Sequence, residues 1–350
     1  MLLTGPNASL AIGRCPNKAC SLNRARLLAF ALLGVLPLAG CTGIQSALDP
    51  QGPDAQRIAT IAWILFSGAA VIFFAVMALV GYALFAVPTR RGWIASTKLV
   101  IGAGVVFPVV ALSVLLIYTF GVAGGLVGGK DSTPLRIAVT GEMWWWRVHY
   151  LDASGHPLLV TANEIHIPVG RPIELSLATA DVLHSFWLPN LAGKLDMIPG
   201  RVNVLRFTAG QAGVSRGQCA EYCGAQHAKM AFYVDAKTPL EFDVWLAAQQ
   251  APGQTPRTEQ HSRGRALFEP HCGACHTVRG TPAAGVLGPD LTHIGSRRSL
   301  AAGILPNNAG TLAGWIASSQ HLKPENRMPS FADFTGEELR ALAAYLESLQ

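Results

Sequence analysis

The sequence predicts a multidomain chain with a two-helix transmembrane hairpin, then an all-β sandwich, then a small all-α domain. Three observations carry this reading. Two long uncharged apolar runs, Ile58–Val87 and Leu99–Phe120, lie in the first third of the chain. Short segments rich in Val, Ile, Leu and aromatics, separated by Gly, Pro, Asn and Asp, fill residues 135–235. The remainder, 258–350, reads as helices around one compact cysteine–histidine motif.

The totals agree. The chain has 350 residues, half of them hydrophobic, with a mean hydropathy of +0.33, as expected for membrane segments diluted by soluble parts. The net charge of +6 is misleading. Residues 1–40 hold Arg14, Lys18, Arg24 and Arg26 and no acid, which leaves 23 basic against 21 acidic residues elsewhere. Nucleic-acid binding therefore has no electrostatic support.

Arg24 and Arg26 precede the apolar run Leu27–Leu38, which ends at Ala39-Gly40-Cys41. A basic flank, a short apolar core and small residues before a break make an export signal. Leu38-Ala39-Gly40-Cys41 also resembles the bacterial lipoprotein cleavage box, which implies that 1–40 is removed with Cys15 and Cys20 and that Cys41 is lipidated. An ordinary signal peptide and a membrane helix ending near Gly40 are the alternatives. Between the two long runs lies Pro88–Lys98, with three cations and no anion, so this loop is expected on the cytoplasmic side and both soluble domains outside. Trp93 and Tyr118 sit where interfacial anchors belong. Buried core helices would instead show a polar face.

In the β region, expected strands are Leu135–Thr140, Met143–Tyr150, Glu164–Pro168, Ile173–Thr179, Ser185–Leu188, Val202–Thr208 and Met230–Asp235, with a helical tail at Pro239–Gln250. The chemistry concentrates in Cys219-Ala-Glu-Tyr-Cys223-Gly-Ala-Gln-His227-Ala-Lys-Met230. Thiolates, imidazole and thioether are ligands that copper prefers. Zinc more often takes paired C-x2-4-C units and not Met, and a disulfide is the third reading. His184, at the end of a strand, is a candidate distant ligand.

Residues 55–250 resemble subunit II of the haem–copper cytochrome c oxidases. The resemblance rests on the hairpin, Trp144-Trp145-Trp146, Asp181-Val-Leu-His184-Ser-Phe-Trp-Leu-Pro, Lys194–Arg201 and Cys219-x-Glu-x-Cys-Gly-x-x-His-x-x-Met230. It implies a cupredoxin-like sandwich holding a dinuclear CuA centre. Cys219 and Cys223 would bridge two copper ions, and His184 and His227 would each bind one. Met230 and the Glu221 carbonyl would be weak axial ligands, and the Glu221 side chain would reach a Mg ion at the junction with subunit I. Trp144 would be the point of electron input, as an exposed side chain. Three adjacent tryptophans alternate across a strand, so at least one face should also be core. One departure stands out. The family commonly carries a Glu near the start of the second membrane helix, where this chain has Ile101; no acid lies between Arg57 and Lys130, and Thr97 and Lys98 are the polar side chains nearby.

After a polar linker, 251–257, comes Cys272-Gly-Ala-Cys275-His276, the attachment pattern of c-type haem. Alone it could be a zinc knuckle. With a preceding helix, Gly288-Pro-Asp-Leu, Arg327-Met328-Pro329 and a final amphipathic helix Gly336–Leu349, residues 258–350 resemble a class I cytochrome c. His276 is the expected iron ligand and Met328 the sixth ligand, with His271, His293 and His321 as rivals.

The expected organisation is 1–40 signal peptide, 41–130 N-terminal segment and hairpin, 131–250 CuA domain, 251–257 linker and 258–350 cytochrome c domain. The resemblance implies a subunit II that takes electrons through covalent haem c and CuA and passes them to the oxygen-reducing subunit I, in a proton-translocating oxidase of a bacterial inner membrane. Its implied partners are subunit I, subunit III and, as donor, a cytochrome c or a quinol–cytochrome c reductase. The alternatives are the input subunit of a CuA-type nitric oxide reductase and a membrane-anchored copper or thiol redox carrier.

Overall fold

A computed structural model describes residues 42–124 and 133–350. Cys41 and the signal-like run before it lie outside the described residues. Helix α1 (Pro53–Phe85) opens with Pro in its first turn, where the missing N–H costs nothing. Its 33 residues span about 50 Å, more than the roughly 30 Å of a bilayer's hydrocarbon core. In its first turns one stripe, Ala55 and Ala59, is buried, so the helix begins before the apolar run does. At its other end the Arg91 guanidinium donates to the carbonyls of Ala86 and Leu84, 2.6 and 3.2 Å away, which satisfies orphaned helix-end acceptors.

The second apolar helix is interrupted. Ser96 caps α2 (Thr97–Ile101), which widens into a π-helical turn at Gly102–Val106 and continues as α3 (Phe107–Gly124). Pro108 explains the break: it has no N–H for the α-helical ladder, and the Phe107 N–H bonds back to the Gly102 carbonyl instead. Phe73, Phe74, Leu112 and Ile117 are all exposed. Both helices are long and apolar enough to cross a membrane, and such surface needs an apolar solvent.

Ten strands form a sandwich of two five-stranded sheets. They are β1 (Leu135–Glu142), β2 (Trp145–Leu151), β3 (Pro157–Ala162), β4 (Glu164–Pro168), β5 (Pro172–Thr179), β6 (His184–Trp187), β7 (Lys194–Met197), β8 (Asn203–Thr208), β9 (Gly213–Cys219) and β10 (Ala231–Lys237). The sheet orders are β3-β2-β1-β5-β8 and β4-β10-β9-β6-β7. Strands β1/β5 and β4/β10 pair in parallel and the rest antiparallel. Alternate residues turn inward, among them Ile137, Val139, Ile173, Leu175 and Val234, all fully buried. Trp146, Phe186 and Phe232 stack through the centre at 4.2 to 5.7 Å between rings. Strands β3, β7 and β9 were not expected. β7 (Lys-Leu-Asp-Met) and β9 (Gly-Val-Ser-Arg-Gly-Gln-Cys) carry charged or Gly residues, so pairing with neighbours, and not local propensity, makes them strands, whereas β3 (Pro-Leu-Leu-Val-Thr-Ala) is apolar and opens on a proline.

Helix α4 (Pro239–Gln250) starts at a Thr238–Glu241 capping box. Beyond it, α5 (Glu259–Cys272), α6 (Ala309–Leu322) and α7 (Gly336–Ser348) enclose a second core around Phe268, Ile316, Leu342 and Tyr345. The segment expected as a polar linker is tied down. Arg279 donates to the carbonyls of Gln249 and Gln250, Gly253 N–H donates to Arg279 O, and His293 bonds Ala251 O.

The helical part rests on the sandwich through polar contacts. The Arg298 N–H donates to Glu164, 2.8 Å away, and Glu164 also meets His166 at 2.7 Å. Burial opposes the Glu164 charge, but the His166 hydrogen bond and charge, the Arg298 N–H and the Arg297 guanidinium outweigh it and hold the carboxyl below its usual range. A folded pKa below the unfolded one contributes stability that is present above the ordinary value, 4.5, and is lost as pH falls through the folded value. Urea unfolding of the soluble region should therefore show stability declining below about pH 4.5. Glu164→Gln should shrink that decline, and an identical acid profile in this variant would contradict the assignment.

Candidate metal centre and haem site

Sheet register delivers the soft ligands. Strands β10, β9 and β6 are neighbours, Phe186 pairs with Cys219, and Ala231 pairs with Gln218. His184 opens β6, Cys219 closes β9, and Met230 directly precedes β10, so all three meet at one edge of the sandwich. Two backbone bonds close that edge: Cys219 N–H to Met230 O at 2.9 Å and Ala220 N–H to Ser185 O at 3.0 Å.

The donors then sort themselves into two sets. The Cys219 and Cys223 sulfurs are 3.8 Å apart, nearly twice the length of a disulfide bond, about 2.05 Å. His184 Nδ1 lies 3.8 Å from the Cys219 sulfur, and His227 Nδ1 lies 3.7 Å from the Cys223 sulfur. The Glu221 carbonyl is 3.2 Å from the first sulfur, and the Met230 thioether is 3.8 Å from the second. Each thiol thus has one imidazole and one weak donor beside it. That set suits two soft metal ions sharing both sulfurs better than one tetrahedral zinc. Cys219, Cys223, His184 and Met230 are all buried, and the ligand atoms of His184, Cys219 and Cys223 lie within 4.8 Å of one another.

Electrostatics of the bare site favours one negative sulfur. A hydrogen bond from Cys223 holds the Cys219 thiol far below the usual thiol range, against the cost of burial, with His184 assisting. The same bond, and burial, push Cys223 up, because a second thiolate so close would repel the first. Bound cations would release both protons.

Two residues that support His184 went unassigned in the sequence. Asp181 Oδ1 is 2.9 Å from His184 Nε2, which leaves Nδ1 to face the sulfur. Burial opposes the Asp181 charge, but hydrogen bonds from His184 and from the N–H groups of Met143 and Val182 keep its carboxyl below the usual range. Gly141 on β1 is the other. A side chain there would meet the His184 ring at 2.9 Å. The spacing of Asp181 three residues before His184 was the one available signal.

Trp144 is not the exposed side chain that was expected. It is 6% exposed, and its indole N–H donates to the Cys223 carbonyl at 2.7 Å. Trp146 is core, and Trp145 lies under the Arg147 guanidinium, 4.7 Å from the ring centre. Among the described residues Glu221 joins no cluster of metal donors.

In the helical domain, α5 ends at Cys272, so the two thiols and His276 follow on one turn. Cys272 and Cys275 are unpaired. His276 Nδ1 lies 2.8 Å from the Pro289 carbonyl, which fixes the tautomer and leaves Nε2 as a ligand atom. Burial lowers the His276 pKa, partly offset by that bond, and so favours the neutral imidazole a metal needs. Met328 is half-buried and packs on the same core as Cys272, Leu291 and Phe331. Its N–H bonds Asn326 Oδ1, and its carbonyl accepts from Ser319 and Gln320. Of the rival ligands, His293 has both ring nitrogens against carbonyls, those of Gln350 and Ala251. His271 and His321 are exposed, and the His271 Nδ1 faces the Leu267 carbonyl. Unpaired thiols, an oriented imidazole and a thioether on a half-buried apolar rim fit a covalently attached haem.

A copper-type sandwich joined to a haem-type helical domain is a class of electron-transfer protein. The comparisons narrow it. A family profile described as the periplasmic domain of cytochrome c oxidase subunit II matches residues 147–237, and one described as cytochrome c matches 261–350. Cytochrome c oxidase subunit 2 of Alkalihalophilus pseudofirmus is 35% identical over 336 residues, 89% of this chain and 94% of that protein. The subunit 2 of Bacillus sp. (strain PS3) is 31% identical over 232 residues, 63% of this chain and 64% of that one. Among solved structures, the periplasmic domain of subunit II of cytochrome oxidase of Bradyrhizobium japonicum has 31% identity and a TM-score of 0.32, covering 34% of this chain and 96% of that one. The chain belongs to the cytochrome c oxidase subunit 2 family, whose members are parts of haem–copper oxidoreductase complexes. Membership implies CuA, and the C-terminal domain implies haem c.

Two outcomes follow from the geometry. Asp181→Ala frees the His184 ring and should lower copper affinity about 10- to 100-fold in a competition titration, while an unchanged affinity would remove Asp181 from the site. Met328→Ala should keep its covalent haem but lose the low-spin, high-potential spectrum, and an unaltered spectrum would point to another ligand.

Proposed function

We propose that this chain is the electron-input subunit of a respiratory cytochrome c oxidase, receiving single electrons at haem c and handing them through CuA to the oxygen-reducing subunit I. The observation that carries the reading is the pairing of donors around Cys219 and Cys223, two sulfurs each with its own imidazole and its own weak ligand. Cys219, Cys223, His184 and His227 would hold two coppers, with Met230 and the Glu221 carbonyl as weaker donors. Cys272 and Cys275 would bond the haem, and His276 and Met328 would ligate its iron. Such centres supply one-electron steps with little change in bond lengths. The chain itself makes and breaks no substrate bond.

Its residues do three things in this scheme. They hold ligand positions stiff: His184 by Asp181 and Gly141, His276 by Pro289, Met328 by Asn326 and Ser319. They exclude water, since Cys219, Cys223 and Met230 are buried. They give electron input a contact, because Trp144 touches the copper loop through its indole N–H. The remaining assignments complete the scheme. Helices α1 and α2–α3 would cross a bacterial inner membrane with both soluble domains on the outer face, and Cys41 would carry lipid. The Glu221 side chain would share a Mg ion with subunit I. Subunit III would complete the complex, the whole would translocate protons, and a cytochrome c or a quinol–cytochrome c reductase would be the donor.

The test uses the intact membrane complex. Cys219→Ser should lose the copper pair yet keep a haem c that ascorbate with a mediator still reduces. Oxygen consumption should fall at least 100-fold, and the reduced haem should no longer be reoxidised by oxygen. Oxygen consumption at the parental rate in a copper-free variant would overturn the proposal. Turnover of nitric oxide in place of oxygen would move the chain to the reductase alternative.

A further inference from the structure

Lys323 is a buried lysine that neither centre requires. It follows α6 directly, and it is 3% exposed. Among the described residues no carboxylate meets its ammonium; it donates instead to three carbonyls, Trp144 O and Lys229 O at 2.7 Å and Ala301 O at 3.1 Å. Two of those carbonyls belong to the sandwich and one to the helical domain. Withdrawing a cation from water is expensive, and this one is compensated by partners that exist together only when the two domains are docked.

The surroundings are built to the same purpose. The Lys229 ammonium returns the contact by donating to Leu322 O at 2.9 Å. Ala301, Ala302 and Gly303 run through three successive left-handed conformations, φ 52°, 63° and 80°. Non-glycine residues in that region are strained, and two in a row persist only where surroundings dictate them. This turn aims Ala301 O at Lys323 and Ala302 O at the Ala231 N–H, 2.9 Å away, one residue after Met230. A side chain on Gly303 would meet the Ala231 Cβ at 2.9 Å, so the seat is closed to anything larger than glycine.

Lys323 also lies on a continuous bonded route between the two centres. The Met328 N–H donates to Asn326 Oδ1 at 2.8 Å, and Asn326 Nδ2 donates to the Lys323 carbonyl at 2.6 Å. At the far end of the same residue, Nζ donates to Trp144 O, and the Trp144 indole donates to Cys223 O. Arg327 adds a rim contact, 3.8 Å from Asp181, though at 70% exposure it is worth little.

We propose that Lys323 is a positioning residue for interdomain electron transfer: it latches the Met328 side of the cytochrome domain onto Trp144 and the copper loop. This rests on the function proposed above. In the step it serves, the haem is oxidised by one electron and the copper pair is reduced by one, with no proton moved and no bond made.

The experiment uses the full chain in its oxidase complex, with Lys323→Met as an apolar replacement of similar length and Gly303→Val as a wedge at the same seat. Hydrogen exchange at the Ala231 amide should rise at least tenfold in both, a readout that does not need loaded centres. Haem-to-copper transfer after rapid partial reduction should slow at least tenfold in Lys323→Met, with the haem spectrum, copper content and both midpoint potentials unchanged. An unchanged transfer rate in Lys323→Met overturns the proposal; if that variant fails to load its centres, an unchanged rate in Gly303→Val does so. Absence of haem-to-copper transfer in the parent complex would instead sink the function itself.

Discussion

The register of three neighbouring strands is the constraint on which the site depends. Because Phe186 pairs with Cys219 and Ala231 with Gln218, the ends of β6, β9 and β10 arrive at one place. A slip of one residue would turn every side chain on a strand to the opposite face. The core guards against that slip. Trp146, Phe186 and Phe232 interlock between the sheets, and any shift would send one of them outward. The apolar core thus specifies, at a distance, where two sulfurs and two imidazoles stand before any metal is bound.

How much of this was legible in the sequence depended on range. Cys219–Met230 and Cys272–His276 are local: their donors lie within one loop or one turn, so spacing alone revealed them. His184 needed a partner 35 residues away; the cluster downstream made it a candidate, and the resemblance gave it a copper. Strands β7 and β9 escaped because their residues have little intrinsic β preference and are recruited by neighbours; β3, Pro-Leu-Leu-Val-Thr-Ala, has strand-like composition and was missed all the same. Lys323 carried no signal at all. A lysine after a helix is ordinarily solvated, and nothing local tells that its ammonium meets carbonyls 94 and 179 residues away. Gly141 was equally silent, since its reason is the ring of a residue on another sheet.

Two expectations changed in kind. The segment after α4 reads as a polar linker, yet Arg279 and His293 pin it by its carbonyls. Trp144 was read as exposed, yet it is buried, with its indole on the copper loop and its carbonyl under Lys323. The causes differ: the segment after α4 is held by residues of the helical domain, whereas the Trp144 ring packs in the sandwich's own core beside the Cys223–Gly224 loop and only its carbonyl is met by the other domain.

The central claim is that two metals, not one, share Cys219 and Cys223. Electron paramagnetic resonance of the oxidised, copper-loaded complex tests it most directly. One unpaired electron shared by two equivalent copper nuclei predicts a multi-line hyperfine pattern from both, with two coppers per chain at this site by metal analysis. A four-line spectrum from a single copper nucleus would contradict it.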